Sequence, residues 1–125
     1  KYWNCVASNI IQWNELNKKE ISKVDLRENY IVTQGVVIQA IGQVGSYFIN
    51  NLEINMYEIL KGLRNIDWRR SASIWKNRVI RADGKILTSN KAILLASNQI
   101  KKELGIPLLP DDELKEKRYL ESLTI

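Results

Sequence analysis

Five cations, Arg69, Arg70, Arg78, Arg81 and Lys85, are the side chains whose type and placement point to chemistry. They fall in what read as loops or around a turn, with few acidic neighbours. A guanidinium offers a planar fork that meets a phosphate bidentately. The five belong to a longer stretch, residues 61–102, in which eleven basic side chains face only Asp67 and Asp83, a balance of +9. Residues 1–60 balance at −1 and residues 103–125 at −3, so the net charge of +5 is concentrated in the middle of the chain. Trp68 and Trp75 lie inside that basic stretch. Cations interleaved with aromatic rings are the footprint of a surface that tracks a phosphate backbone. The competing reading is structural: a solvated face whose arginines pair with Glu15, Glu28 or the acidic tail.

Catalytic chemistry finds no comparable constellation. The chain has no histidine and one cysteine, Cys5. Ser-His-Asp and Cys-His pairs are therefore excluded unless another chain supplies the imidazole, and so is any zinc site that needs one. Glu20, Asp25 and Glu28 lack the spacing and partners of a metal site or an acid–base pair. Gly35, Gly42 and Gly45 do not form the three-glycine phosphate loop between a strand and a helix. The expectation is a protein that is not an enzyme, with no catalytic residue, no cofactor and no metal. The lone cysteine forms no internal disulfide, which fits a reducing compartment.

Something must position the cations, and 125 residues with 45% hydrophobic and 26% charged side chains are enough for one globular domain. Trp3, Val6, Ile10, Trp13 and Leu16 recur at helical spacing, which predicts one amphipathic helix over residues 2–16. Ser22 followed by Asp25 predicts the start of a second helix running through Leu26, Tyr30 and Thr33. From Asn29 to Leu52 there is no charge, which raises a membrane span. Interruption by Gln34, Gln39, Gln43, Ser46 and Asn50, together with three glycines, favours a buried central helix instead. On that helix Gly42 and Gly45 admit a close neighbour, and Gln39 and Gln43 are spaced to bond across a helix pair.

Asn55 to Leu63 predicts a short helix, and Ile66 to Ser71 an ordered loop in which Asp67 caps a turn and Trp68 fills a core gap. Arg27 and Glu28 are placed to pair with Asp67 or Arg70. Ala82-Asp83-Gly84 is a turn signal between two apolar runs, which predicts a small β-hairpin over residues 76–88. Ser89 or Asn90 starts a helix that Gly105 stops, and Pro110 with three acids starts the last one. The fold class expected is mainly α: a single helical domain, residues 1–125, with that small hairpin. Trp3, Trp13, Ile38, Ile41, Leu60, Ile93 and Ile100 are its expected core. A helix-turn-helix over residues 22–45 is disfavoured, because its second helix is too apolar for a wet groove.

Several words of the sequence, in this order, resemble the C-terminal part of the DGQHR-domain family, best known as DndB. They are Leu26-Arg27-Glu28-Asn29-Tyr30, then Gly35 with Gln39-Ala40-Ile41-Gly42-Gln43-Val44-Gly45, and Ile66-Asp67-Trp68-Arg69-Arg70-Ser71. Trp75, Asp83-Gly84-Lys85 and Ile100-Lys101-Lys102-Glu103-Leu104-Gly105-Ile106 continue the agreement, which covers residues 3–110 in order and spacing. The Asp-Gly-Gln-His-Arg signature of the family is absent. With no methionine at Lys1, the expectation is a C-terminal piece of a longer parent. The resemblance implies a place in a bacterial DNA phosphorothioation gene cluster, as a DNA-binding regulator that represses its own cluster rather than as the sulfur-transfer enzyme. DNA, the N-terminal part of the parent and a homo-oligomer are the partners considered. No signal peptide is visible, and with no membrane partner the expected localisation is cytoplasmic. A helical packing half of a larger protein, without DNA contact, is the alternative.

Overall fold

The computed structural model describes residues 1–123. In chain order its helices are α1 (Tyr2–Asn9), α2 (Ile11–Asn17), α3 (Lys23–Asn29), α4 (Gly35–Asn50), α5 (Met56–Leu60), α6 (Asn90–Leu104) and α7 (Pro110–Ser122). Two 3-10 turns, Lys61–Asn65 and Ser73–Trp75, lie between α5 and α6. The fold is mainly helical, as the periodicity implies.

α4 and α6 form the central pair. α4 is the uncharged helix, and it buries Val36, Val37, Ala40, Ile41, Val44 and Phe48. α6 answers with Ala92, Ile93, Ala96 and Ile100. Each fully buried Val, Leu or Ile contributes about 1.5–3 kcal/mol, so this seam is a substantial part of the core. Among the described residues, no helix is long and apolar enough to cross a membrane. Ile38, expected in the core, is 38% exposed, and Gln39 and Gln43 are exposed as well. The polar positions of α4 thus form its outer face instead of bonding across the pair.

The single helix expected over residues 2–16 is broken at Ile10, which is extended (φ −103°, ψ 104°) and fully buried. The break turns two short helices separately onto the core. It also moves the inward stripe of α1 by one residue: Tyr2 takes the seat and donates its hydroxyl to the Ile41 carbonyl. Trp3 is left 46% exposed, edge-on to the Tyr2 ring. Trp13 is half-buried, its indole N–H bonded to the Val32 carbonyl at 3.1 Å. Gly42 is exposed, and a Cβ there would meet only Trp3 Cζ2 at 3.7 Å, so the tight packing expected at Gly42 is not found. It occurs at Gly45, where a Cβ would lie 3.1 Å from the Tyr2 ring.

Helix starts and stops follow the local signals. Ser22 accepts from Asp25 N–H and Ser89 from Ala92 N–H, both at 3.1 Å. Asn55 caps α5. Gly105 at φ 74° closes α6, where the Ile106 N–H reaches the Lys101 carbonyl at 2.8 Å. α3 stops at Asn29, short of Thr33, because the next residues pair with the 66–71 loop. Ile31 N–H bonds Trp68 O at 3.0 Å and Arg70 N–H bonds Asn29 O at 2.8 Å.

The hairpin expected over residues 76–88 is not formed. Isolated bridges Lys76–Ile80 and Ile80–Ile86 stand in its place. Its first arm is curled rather than extended: the Trp75 carbonyl collects the N–H groups of Arg78, Val79 and Ile80 at 3.1–3.2 Å, and Asn77 is left-handed at φ 63°. The Asp-Gly turn itself is present, with Arg81 N–H on Lys85 O at 2.8 Å and Gly84 at φ 87°.

Candidate nucleic-acid interface

The five cations singled out from the sequence have four different environments. Arg69 is exposed, but its guanidinium is clamped by Asp67, with Nε on Oδ1 at 2.9 Å and a terminal nitrogen on Oδ2 at 2.7 Å. Those hydrogen bonds lower the Asp67 pKa and raise that of Arg69. Asp67 also accepts from Arg69 N–H at 3.1 Å, the turn-capping role expected of it. Arg70 is half-buried and reaches the Arg27 carbonyl at 3.4 Å, so the contact between these two segments is to backbone rather than a carboxylate pair. Arg81 and Lys85 are exposed on the Asp-Gly turn. Arg81 pairs with Asp83 at 3.2 Å across solvent, a contact worth little.

Arg78 is different in kind. It is 3% exposed and enclosed by α6 and α7. Its two terminal nitrogens meet the two oxygens of Glu116 at 2.7 and 2.5 Å, and one of them also donates to the Leu95 carbonyl at 3.0 Å. The Tyr119 ring lies against its guanidinium carbon at 4.4 Å. Lys102 and Asn98 donate to the same carboxylate at 3.0 and 3.4 Å. Burial alone pushes the Glu116 carboxyl up, but the bonds from Arg78 and Lys102 outweigh it and hold the pKa at about 2. A fork filled in this way has no edge left for a phosphate. Arg78 is a structural residue, and its sequence neighbourhood, free of acids, hides a partner 38 positions away.

The tryptophans of the basic stretch are also internal. Trp68 and Trp75 are 2% and 0% exposed and stack on each other at 5.6 Å. Their N–H groups are bound to the Leu63 and Asp67 carbonyls. They brace the loop that carries Arg69 and Arg70, and no face is offered to a base.

What remains at the surface is a basic turn leading into a helix start. Arg81 and Lys85 lie at the turn, and Lys91 is on the first turn of α6, exposed like Lys76 and Arg64. Among the described residues Lys85, Lys91, Lys76 and Arg64 make no ion pair, and Asp83 is the sole acid between Arg81 and Lys102.

A family model, DndB, described as DNA-sulfur modification-associated, matches residues 1–107. The chain belongs to the DndB family. The match takes in the whole α1–α6 body and the basic turn, and ends just before α7. No curated protein and no solved structure matches the chain at a significant level.

Proposed function

We propose that this chain is a DNA-binding regulatory component of a DNA-sulfur modification system, acting by binding rather than by catalysis. On this reading it is the helical C-terminal part of a DGQHR-type protein and represses the gene cluster to which it belongs. Family membership supplies the system. The observation that carries DNA contact is the exposed Arg81–Lys85 turn running into Lys91 at the start of α6 with one acid, Asp83, against three cations. Contacts of this kind position a protein on the phosphate backbone and leave base recognition to other residues.

Each phosphate neutralised releases condensed counterions, so log K falls with log salt by about 0.9 per contact. Titrating labelled duplex DNA at several salt concentrations measures that slope. Substituting Arg81 and Lys85 together with alanine flattens it by about two and weakens binding alike on all sequences. No salt-sensitive binding by the unmutated chain at low ionic strength overturns the reading. In that case the packing-half alternative takes its place, favoured by Ile49 and Leu52, which stand 74% and 84% exposed at the end of α4.

A further inference from the structure

α7 meets α6 through polar contacts: Asn98 donates to the Asp112 carbonyl, and Asn98 and Lys102 donate to Glu116. Beside that contact runs a groove of about 450 Å³ lined by Asn90, Lys91, Leu94, Leu95, Lys115 and Arg118. Its floor is apolar, with Leu95 buried and Leu94 half-buried. Its walls are cationic. Lys91, Lys115 and Arg118 are all exposed, none is in an ion pair among the described residues, and no carboxylate lines the groove. The larger groove on the other flank of α7 differs: there Glu113, Glu116 and Glu121 accompany Lys102 and Lys117.

A cleft with walls of one sign and a low-dielectric floor focuses its field outward and concentrates counterions. This one is also held in shape. The Leu95 carbonyl in its floor is bonded to buried Arg78, which Glu116 of α7 grips from the other side, so both walls hang on one fixed cluster. Lys91 brings the groove to within a few residues of the Arg81–Lys85 turn.

We infer that the α6–α7 groove takes the sugar–phosphate backbone of DNA, with Lys91, Lys115 and Arg118 as its phosphate contacts. The DNA surface then continues from the family-matched residues onto α7. This inference rests on the DNA-binding reading above and extends it to residues that lie outside the match. A polyanion with regularly spaced charges suits three free cations along an apolar floor, and the fork of Arg118 suits a phosphate bidentately.

The test uses the full chain, the same duplex titration over salt, and three variants: K115A/R118A, R81A/K85A, and K117A. Lys117 lies on the opposite flank and controls for net charge. K115A/R118A flattens the salt slope by about two, with its melting temperature unchanged, while K117A leaves the slope unchanged. If K115A/R118A keeps the original slope while R81A/K85A flattens it, the groove is not a DNA contact and the broader reading survives. If K117A flattens the slope as much per charge as K115A/R118A, the effect is non-local and the groove assignment fails. If K115A/R118A loses binding to poly-glutamate but keeps its DNA slope, the groove docks an acidic protein, which also overturns the inference. If the unmutated chain binds no DNA, both readings fall together.

Discussion

Replacing Arg78 with alanine tests the idea that a buried ion pair, and not an apolar seam, holds α7 in place. The substitution removes both forks of the bond to Glu116, the bond to the Leu95 carbonyl and the contact with the Tyr119 ring. Glu116 is 4% exposed, so its charge cannot be rehydrated without moving the helix. Breaking one side of such a pair costs about 3–5 kcal/mol, and the half-exposed Lys102 and Asn98, which still donate to Glu116, put the loss at the lower end of that range. For a domain of this size that lowers the melting temperature by roughly 10–20 °C.

The dependence on pH separates this mechanism from a simple packing loss. The folded-state pKa of Glu116 is about 2 against an ordinary 4.5, a depressed carboxylate, so its contribution is fully present above pH 4.5. It is lost as pH falls through 4.5 towards 2, and Arg78 and Lys102 share in holding that pKa down. The stability gap between the original chain and R78A, measured by urea unfolding with far-UV circular dichroism, is therefore widest near neutral pH and narrows in acid. The double substitution R78M/E116L, which removes both charges, recovers most of the loss. A loss under about 1 kcal/mol for R78A near neutral pH, or a gap that stays constant into acid, refutes the electrostatic account.

Two glycines three residues apart, about 4.5 Å of helix rise, should respond in opposite directions. Gly42→Ala puts a Cβ at ordinary contact distance, 3.7 Å, from the Trp3 ring and stabilises by about 1 kcal/mol through helix propensity, whereas Gly45→Ala drives a Cβ to 3.1 Å from the Tyr2 ring and destabilises by about 1–3 kcal/mol. Equal shifts in melting temperature would show that Tyr2 does not pack there as described. The Cys5 thiol is 8% exposed and its pKa is raised by burial, with a hydrogen bond from Asn9 opposing. It should react with a disulfide reagent far more slowly in the folded protein than in urea, and rapid reaction in native buffer would show that α1 opens readily.

Much of the frame was legible because the signals are local. Ser22, Ser89 and Gly105 mark helix ends through hydrogen bonds within a few residues, Pro110 marks one through its fixed φ, and the uncharged run around α4 carries its own burial. The misreadings come from competition between neighbours or from distance. Trp3 and Tyr2 compete for one inward seat, and periodicity alone does not say that the residue able to donate to the Ile41 carbonyl takes it. The 76–88 segment has a good turn and two apolar arms, yet one carbonyl, that of Trp75, gathers three N–H groups and curls the first arm. A balance of charge along the chain makes Arg78 read as free, because its partner is distant in sequence. The same balance masks Lys115 and Arg118, which sit in a segment whose net charge is negative.

The same cluster bears on where the functional unit ends. Within residues 1–107 the guanidinium of Arg78 finds one hydrogen-bond acceptor, the Leu95 carbonyl, and no carboxylate. Its counter-charge comes from Glu116, and the ring against it from Tyr119, both on α7. The family-matched body therefore leaves a cation on the outer side of α6 that α7 neutralises and covers. α7 is fitted for that task and for little else in the core: it buries Glu116 and Tyr119 while Leu114, Leu120 and Leu123 are 43–48% exposed. A helix docked by one carboxylate also displays two of its three cations, Lys115 and Arg118, beside Lys91. The buried charge at Arg78 fixes the position of α7, and that position determines where the exposed charges lie.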